Sequence, residues 1–213
     1  SGNLGRVAVG AIPALASGLL TRTIANLKQS HPRLSMSIQV DTSDVLVQAL
    51  LQDQLDVVLG RIPGGARAEE LLFDSLGEEE LCVIAGAKNP LVHAKDLSWS
   101  ALQSETWVLQ QHPSPMRAIV NQVFHNARVD IPNSIVETTS IMTLLSLVQQ
   151  TDMLGITPVS VIEDYAGRDL LAVLPISFEA RLPPYGLITR RHRIQSSAMQ
   201  AFINSVKAEQ GDA

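Results

Sequence analysis

The sequence predicts an α/β fold built from two similar halves. Short aliphatic and β-branched runs alternate with segments whose apolar residues recur at helical spacing, once before and once after Asn89-Pro90. Apolar types make up 46% of the 213 residues, which is enough for a buried core. Aromatic residues are only 4%, so we expect a mainly aliphatic core.

The first half is predicted to be β-α-β-α-β. An apolar run over 7–12 is closed by Pro13, and Leu20, Ile24 and Leu27 then follow at the i, i+4, i+7 spacing of an amphipathic helix. Further strands are predicted at 35–40 and 55–59, with a helix between them that starts after the capping side chains of 41–44. Such crossovers join parallel strands by right-handed connections.

The second half repeats this order. Extended runs at 70–76 and 80–85 connect the first half to the second. The second half has predicted strands at 106–109, 134–137 and 153–157 and predicted helices over 116–123 and 141–148. A further extended run follows at 170–174. A strand at 185–189 and a helix over 199–206 end the chain. If the chain crosses near 85–89 and returns near 183–187, one lobe comprises 1–86 plus 188–213 and the other 87–187. A single continuous sheet is the alternative that the pattern leaves open.

Charge and cysteine content exclude several classes of function. The net charge is 16 − 21 = −5, which argues against nucleic-acid binding by this chain itself. The lone Cys82 excludes an internal disulfide and a multi-cysteine zinc site, and its apolar neighbours predict a buried strand residue in a reducing compartment. No apolar run could span a membrane, and the start resembles no secretory signal. We therefore expect a soluble, cytoplasmic chain, either a fragment of a longer protein or a processed mature chain.

Hydroxyl side chains and helix starts gather in the loops that follow the predicted strands. Ligands of open parallel sheets bind at the carboxyl ends of the strands, where backbone N–H groups converge. Arg61 follows a strand directly and adds one fixed cation, so the loops suit an anionic or polyhydroxylated small molecule. Helix capping alone is the alternative for Thr42, Thr139 and Ser140, and a structural ion pair is the alternative for Arg61.

No catalytic constellation is present. The sequence contains no G-x-S-x-G, H-E-x-x-H, P-loop or G-x-G-x-x-G motif. Its five histidines show no ligand spacing; they are His31, His93, His112, His125 and His192. We therefore predict no catalytic residue, no metal site and no cofactor, and we interpret the basic run at 190–193 as an anchoring or solubility feature rather than a DNA contact.

Several segments together resemble the effector-binding domain of LysR-type transcriptional regulators. Residues 4–10 (Leu-Gly-Arg-Val-Ala-Val-Gly), 27–32 and 55–61 (Leu-Asp-Val-Val-Leu-Gly-Arg) carry the resemblance in the first half, and 153–158 (Met-Leu-Gly-Ile-Thr-Pro) in the second. The segments 58–63, 107–109, 113–117, 136–138 and 186–191 are similar to the subgroup around the galactose-binding-protein regulator. The resemblance extends from about residue 4 to 206.

This resemblance implies a type 2 periplasmic-binding-protein-like fold, with two Rossmann-like lobes joined by two crossover strands around a ligand cleft. A winged helix-turn-helix DNA-binding domain would precede the chain and is absent from it. By motif position, the effector-binding residues would be Ala14, Leu15, Ser43, Arg61, Ser114, Pro115, Met116, Thr138 and Thr157. The apolar Pro13-Ala14-Leu15 loop leaves fewer hydrogen-bond donors there than many relatives have.

The implied function is effector sensing within a DNA-binding transcriptional regulator. The effector would be a sugar, a sugar acid or another small carboxylate. Few aromatic residues are available to stack on a sugar ring, and Trp107 is the nearest candidate by sequence. The family implies a homodimer through the outer faces of Leu19–Leu27 and Met116–Phe124, with a tetramer possible in the full-length protein. It also implies that DNA is contacted only through the missing domain. The alternatives are a solute-binding protein of a transport system with the same fold and an enzyme on a two-lobed scaffold.

Overall fold

The computed structural model describes residues 5–65, 67–165, 170–178 and 180–211, and the chain divides into two compact units. The first unit comprises residues 1–78 and 183–213, and the second comprises 79–182. Each is an α/β unit with its own sheet, so the predicted fold class is confirmed and the single continuous sheet is excluded.

The elements follow one another in nearly the predicted order. The first passage through the first unit contains β1 (Arg6–Ala11), α1 (Pro13–Ala16), α2 (Leu19–Ser30), β2 (Ser35–Val40), α3 (Ser43–Leu51), β3 (Val57–Gly60) and β4 (Leu71–Gly77). The second unit contains β5 (Leu81–Gly86), α4 (Trp99–Leu102), β6 (Trp107–Leu109), α5 (Pro115–Asn126), β7 (Ile135–Glu137), α6 (Ile141–Gln150), β8 (Leu154–Pro158), α7 (Val159–Tyr165) and β9 (Leu171–Val173). The chain then adds β10 (Tyr185–Arg190) and α8 (Ser197–Gly211) to the first unit. Short 3-10 helices cover Ala68–Glu70 and Pro90–His93.

The two sheets share one plan. The first has the strand order β2-β1-β3-β10-β4, with β1 parallel to β2 and β3 and with β10 antiparallel to both of its neighbours. The second has the order β7-β6-β8-β5-β9, with β6 parallel to β7 and β8 and with β5 antiparallel to β8 and β9. Each unit thus combines three parallel strands with an antiparallel pair, as the βαβ pattern predicted for the parallel part.

The boundaries between the units differ from the predicted ones. The sequence pattern predicts one lobe over 1–86 and 188–213 and the other over 87–187, whereas the units divide at 78/79 and at 182/183. The physical reason is strand pairing: β5 forms its ladders with β8 and β9, and β10 forms its ladders with β3 and β4. Apolar periodicity identifies a strand but not its partners, so the predicted boundaries place β5 in the first lobe and divide β10 between the two lobes.

The two cores differ in composition. The first core is aliphatic, as predicted, with Phe202 as its one large aromatic side chain that is fully buried. The second core concentrates aromatic residues instead. The ring of Trp99 packs edge-on against Phe124 and Phe178, at centroid distances of 5.2 and 5.1 Å, and Trp107 packs edge-on against Phe124 at 5.6 Å. An aliphatic core is therefore a correct description of the first unit only.

The basic run at 190–193, which begins at the last residue of β10, anchors the returning chain. Arg190 pairs with Asp53, and Arg193 pairs with Asp56. Asp56 also accepts a hydrogen bond from the backbone N–H of Ala8 at 2.7 Å, so it links the return segment to β1. Arg191 donates to the carbonyl oxygens of Glu69 and Leu71, at 2.9 and 3.2 Å. The predicted anchoring role of this run is confirmed.

Substitution of Gly186 tests the insertion of β10 between its two neighbours. A Cβ atom at this position would overlap the backbone carbonyl oxygen of Asp74 and would lie 2.9 Å from its carbonyl carbon. Because both groups belong to a paired backbone, neither can move without breaking the ladder. We expect Gly186→Ala to lower the free energy of unfolding by about 3 kcal/mol, measured by urea denaturation.

Gly64→Ala is the matched control, since a Cβ atom there has no heavy atom within 4 Å. We expect it to change the free energy of unfolding by less than about 0.5 kcal/mol. Equal effects of the two substitutions would contradict the close approach of β10 and β4.

Cys82 lies in β5 and is buried, as the sequence predicted. Its side chain is 5% exposed, and its thiol donates a hydrogen bond to the carbonyl oxygen of Thr157 at 3.5 Å. Desolvation by burial raises the pKa of the thiol from 9.0 to about 11. The thiol therefore stays protonated and unreactive at pH 7.

We expect the native chain to be unreactive toward Ellman's reagent at neutral pH and to release one equivalent of product after unfolding in guanidinium. The unfolded chain serves as the control, because its thiol regains an ordinary pKa. Labelling of the native chain at the rate of the unfolded chain would show that Cys82 is accessible, and would reopen a redox role for it.

Candidate functional site

The parallel strands of the first unit end at one edge of the sheet, and the loops that follow them bring Ser43 and Arg61 together. Ser43 begins α3 after β2, and Arg61 directly follows β3. The hydroxyl oxygen of Ser43 accepts a hydrogen bond from the backbone N–H of Arg61 at 3.0 Å. Gly60 permits this approach, because a Cβ atom there would lie 3.2 Å from the same oxygen. Both residues are buried, so this part of the edge is tightly packed.

Arg61 has a structural role in this unit. Its side chain is 4% exposed, and its Nε donates a hydrogen bond to the carbonyl oxygen of Pro183 at 2.9 Å. The guanidinium therefore links the end of β3 to the segment that leads into β10. The sequence left open whether Arg61 serves the structure or a ligand. The structural role is now observed, and contact with an effector stays a prediction.

The loop after β1 offers little polar chemistry. Ala14 and Leu15 lie on α1, whose N-cap residue Ile12 makes no side-chain capping bond. Leu15 is buried in the first core, and Ala14 is half-buried. This agrees with the expectation that 13–15 supply few donors, and any contact with a ligand here would be apolar.

In the second unit, Ser114 starts α5 at the end of the loop that follows β6. Its hydroxyl oxygen accepts a hydrogen bond from the backbone N–H of Arg117 at 3.1 Å, and the residue is 1% exposed. Pro115 occupies the first turn of the helix, where its missing N–H costs nothing. Met116 is half-buried against the second core. These three predicted residues are therefore adjacent at one helix start.

Arg117 is a second buried cation that the sequence analysis missed. Its side chain is 6% exposed, and its Nη1 donates to Glu137 Oε1 at 2.7 Å and to the carbonyl oxygen of Gln110 at 2.9 Å. Its Nε donates to Asn121 Oδ1 at 3.2 Å. These bonds fix α5 to the ends of β6 and β7. The available signal was helical spacing, because Arg117 precedes the buried Val120 by three positions.

The capping alternatives have different outcomes. Ser140 caps α6, since its hydroxyl oxygen accepts from the backbone N–H of Thr143 at 3.2 Å. Thr138 lies two residues before Ser140, and the hydroxyl oxygen of Thr138 accepts a hydrogen bond from the backbone N–H of Ser140 at 3.1 Å. Thr42 occupies the N-cap position of α3 but makes no side-chain capping bond, so the capping interpretation is wrong for its side chain.

Thr157 is the most unusual of the predicted site residues. It is the penultimate residue of β8, and it is fully buried. Its hydroxyl oxygen has no hydrogen-bond partner among the residues that the structure describes. A buried hydroxyl without a partner costs about 1–3 kcal/mol. Its position near the end of a parallel strand, together with this unmet hydrogen bond, makes it the strongest polar candidate in the second unit.

The expectation that Trp107 could contact a bound sugar is wrong. Trp107 is fully buried, and its indole N–H donates to the carbonyl oxygen of Leu102 at 3.0 Å, so it cannot stack on a ligand. His112 is exposed and its Nε2 lies 3.3 Å from the side-chain nitrogen of Asn121.

Over the described ranges, no group of three or more His, Cys, Asp or Glu residues could hold a metal ion. No helix in these ranges is both long and apolar enough to cross a bilayer.

Two solved structures share this fold over nearly the whole chain. The effector-binding domain of QuiR in complex with shikimate matches it with a TM-score of 0.80 at 16% identity, covering 98% of each chain. The regulatory domain of CcmR from Synechocystis PCC6803 in complex with 2-PG matches it with a TM-score of 0.82 at 18% identity, covering 96% of each chain. The predicted type 2 periplasmic-binding-protein-like fold is thereby confirmed.

Sequence comparison gives the family. A curated relative, the HTH-type transcriptional regulator GbpR of Azospirillum brasilense, is 26% identical over 209 residues, which cover 98% of this chain and 61% of the relative. The chain thus spans less than two thirds of that regulator, and the resemblance to its subgroup is confirmed. Residues 1–211 match the family model of the LysR substrate binding domain, and the chain belongs to this family.

Proposed function

We propose that this chain is the effector-sensing domain of a LysR-type DNA-binding transcriptional regulator and that a small molecule binds at its strand-end loops. Family membership and the regulator GbpR support the regulatory role. Two proteins of the same fold bind small molecules, shikimate for QuiR and 2-PG for CcmR. The observation that carries the proposal is the buried Thr157 hydroxyl, which lacks a partner in the described part of the chain.

The hydroxyl groups in these loops favour an effector rich in acceptor oxygens. The oxygens of Ser43, Ser114 and Thr138 already accept backbone N–H groups. Each of these hydroxyls therefore has its own hydrogen left to donate. Donors of this kind suit a sugar, a sugar acid or another small carboxylate, as the sequence predicted. Ala14, Leu15, Pro115 and Met116 would supply the apolar contacts, and Arg61 would supply positive charge.

The effector would act by favouring one conformation of the regulator. A ligand shifts a conformational equilibrium only by its difference in affinity for the two states. In the full-length protein a DNA-binding domain outside this chain would respond to that shift, and the protein would work in the cytoplasm. The match to a transcriptional regulator favours this function over transport or catalysis.

Replacement of Thr157 by the isosteric Val tests the site. Thr157→Val removes a buried hydroxyl that has no described partner, so the ligand-free chain should unfold at an equal or higher temperature. The same change removes a hydrogen bond to the effector, so binding should weaken about tenfold, which corresponds to about 1.4 kcal/mol. The measurement is a thermal-shift titration with neutral sugars, sugar acids and small carboxylates.

Thr23→Val is the matched control, because the Thr23 hydroxyl is also fully buried and has no described partner but lies in α2. It should leave effector binding unchanged. Equal binding by the wild type and Thr157→Val would exclude Thr157 from the site, and the absence of any stabilising compound in the three classes would contradict the proposed sensing function.

We also propose that the chain forms a homodimer through the outer faces of α2 and α5. One supporting observation is the edge strand β2, on which Ile38 and Val40 are 48% and 49% exposed. Exposed apolar edge strands favour pairing with other chains unless they are covered. A second subunit that covers α2 and the exposed edge of β2 would remove these side chains from water.

Ile38→Lys should weaken the dimer at least about tenfold in sedimentation velocity, because a charge would be buried without a partner. Ile194→Lys is the matched control, since Ile194 is 93% exposed and lies outside the proposed interface. A monomeric wild-type chain, or a dimer equally stable in both variants, would contradict this arrangement.

A further inference from the structure

We propose that the second unit carries a separate binding site for an uncharged, hydroxylated molecule the size of a monosaccharide. The site is a cavity of about 430 Å³ beside Trp99, a volume within the usual range of small-molecule pockets. Three segments of the second unit form it: the start of α4, the end of α5 and residues 175–177. This inference is independent of the proposed function of the strand-end loops.

The indole of Trp99 gives the cavity a rigid apolar wall. Its ring is held edge-on by Phe124 and Phe178, and it stacks at a centroid distance of 6.3 Å on Trp107. Trp99 is nevertheless only partly buried, and its indole N–H makes no hydrogen bond to any described residue. By contrast, the indole N–H of Trp107 is bonded to the backbone. Trp99 therefore offers both an apolar surface and an unused donor at a fixed position.

The rim of the cavity is polar but uncharged. Its hydroxyl and amide side chains are those of Ser98, Ser100, Asn126 and Ser177, all exposed. The hydroxyl oxygen of Ser98 accepts from the backbone N–H of Ala101 at 3.3 Å, which leaves its hydrogen free to donate. The other three side chains make no hydrogen bond to another described residue.

This lining selects a class of ligand. Hydroxyl and amide groups can donate and accept hydrogen bonds, which matches the hydroxyls of a sugar or an inositol. None of the described residues that line the cavity carries a charge, so an anionic ligand would lose its hydration without gaining a counter-charge from them. The apolar C–H surface of a sugar ring would lie against Trp99 and Ile176.

The cavity is distinct from the strand-end loops of its own unit. Ser114, Pro115 and Met116 lie at the start of α5, whereas Asn126 is its last residue. The 12 residues of α5 span about 18 Å at the usual helical rise. One molecule the size of a monosaccharide cannot contact both ends of this helix.

Saturation-transfer NMR on the 213-residue chain tests the proposal, with D-glucose and myo-inositol as neutral probes and D-gluconate as the charged counterpart. We expect at least one neutral probe to bind with a dissociation constant of about 1 mM. Asn126→Ala should weaken this binding at least about tenfold because it removes an amide that forms part of the rim. Trp99→Phe, which keeps an aromatic ring but removes the indole N–H, should weaken it as well.

Asn133→Ala is the matched control, since Asn133 is an exposed asparagine of the same unit outside the cavity. Neither this change nor Thr157→Val should affect the binding that Asn126→Ala weakens. No binding by either neutral probe, or binding unchanged in Asn126→Ala, would overturn the proposal. Binding lost only in Thr157→Val would also overturn it, but would leave the proposed function of the strand-end loops intact. Binding of D-gluconate that is lost in Asn126→Ala would overturn the assignment to uncharged ligands.

Discussion

The insertion of β10 between β3 and β4 is the constraint on which the first unit depends. It completes a sheet from two stretches of chain that are separated by the whole second unit, residues 79–182. Such an interruption is tolerable because the entropy of closing a loop grows only with the logarithm of its length. Local bonds then fix the chain where it returns to the first unit. Before β10, the guanidinium of Arg61 donates to the carbonyl oxygen of Pro183. At and just after the end of β10, Arg190 and Arg193 pair with acidic residues.

Each unit also builds one end of its sheet around a buried serine and a buried arginine. In both pairs the serine oxygen accepts the backbone N–H of the arginine, Ser43 from Arg61 and Ser114 from Arg117. In both, the guanidinium donates to a backbone carbonyl of a neighbouring segment. Buried cations are stable only when they are hydrogen-bonded in this way. The loops that we propose for ligand binding therefore have a rigid framework, which limits the entropy that binding must cost.

The sequence was sufficient for the strands, the longer helices and the fold class, but not for the short helices α1 and α4 or for features that depend on pairing and burial. The apolar run of β5 is evident at Leu81–Gly86, yet nothing in the run shows that it pairs with β8. Trp107 and Trp99 are equally apolar in sequence, and only packing reveals that the first is fully buried while the second lines a cavity. Helical spacing places Arg117 on the same face of α5 as the buried Val120, but no periodic pattern predicts that a cation there is buried and hydrogen-bonded.

Thr157 connects the stability of the ligand-free chain to its proposed sensing function. Its hydroxyl has no partner among the residues that the structure describes, so the ligand-free chain is less stable than it would be with an apolar residue of the same shape at this position. A ligand that supplies the missing hydrogen bond recovers this free energy, and it does so only in the bound state. The resulting stabilisation grows as RT ln(1 + [L]/Kd), about 2.7 kcal/mol at one hundred times Kd. An unmet bond of this kind costs stability in the absence of effector and adds to the response when the effector is present, which is what a sensor requires.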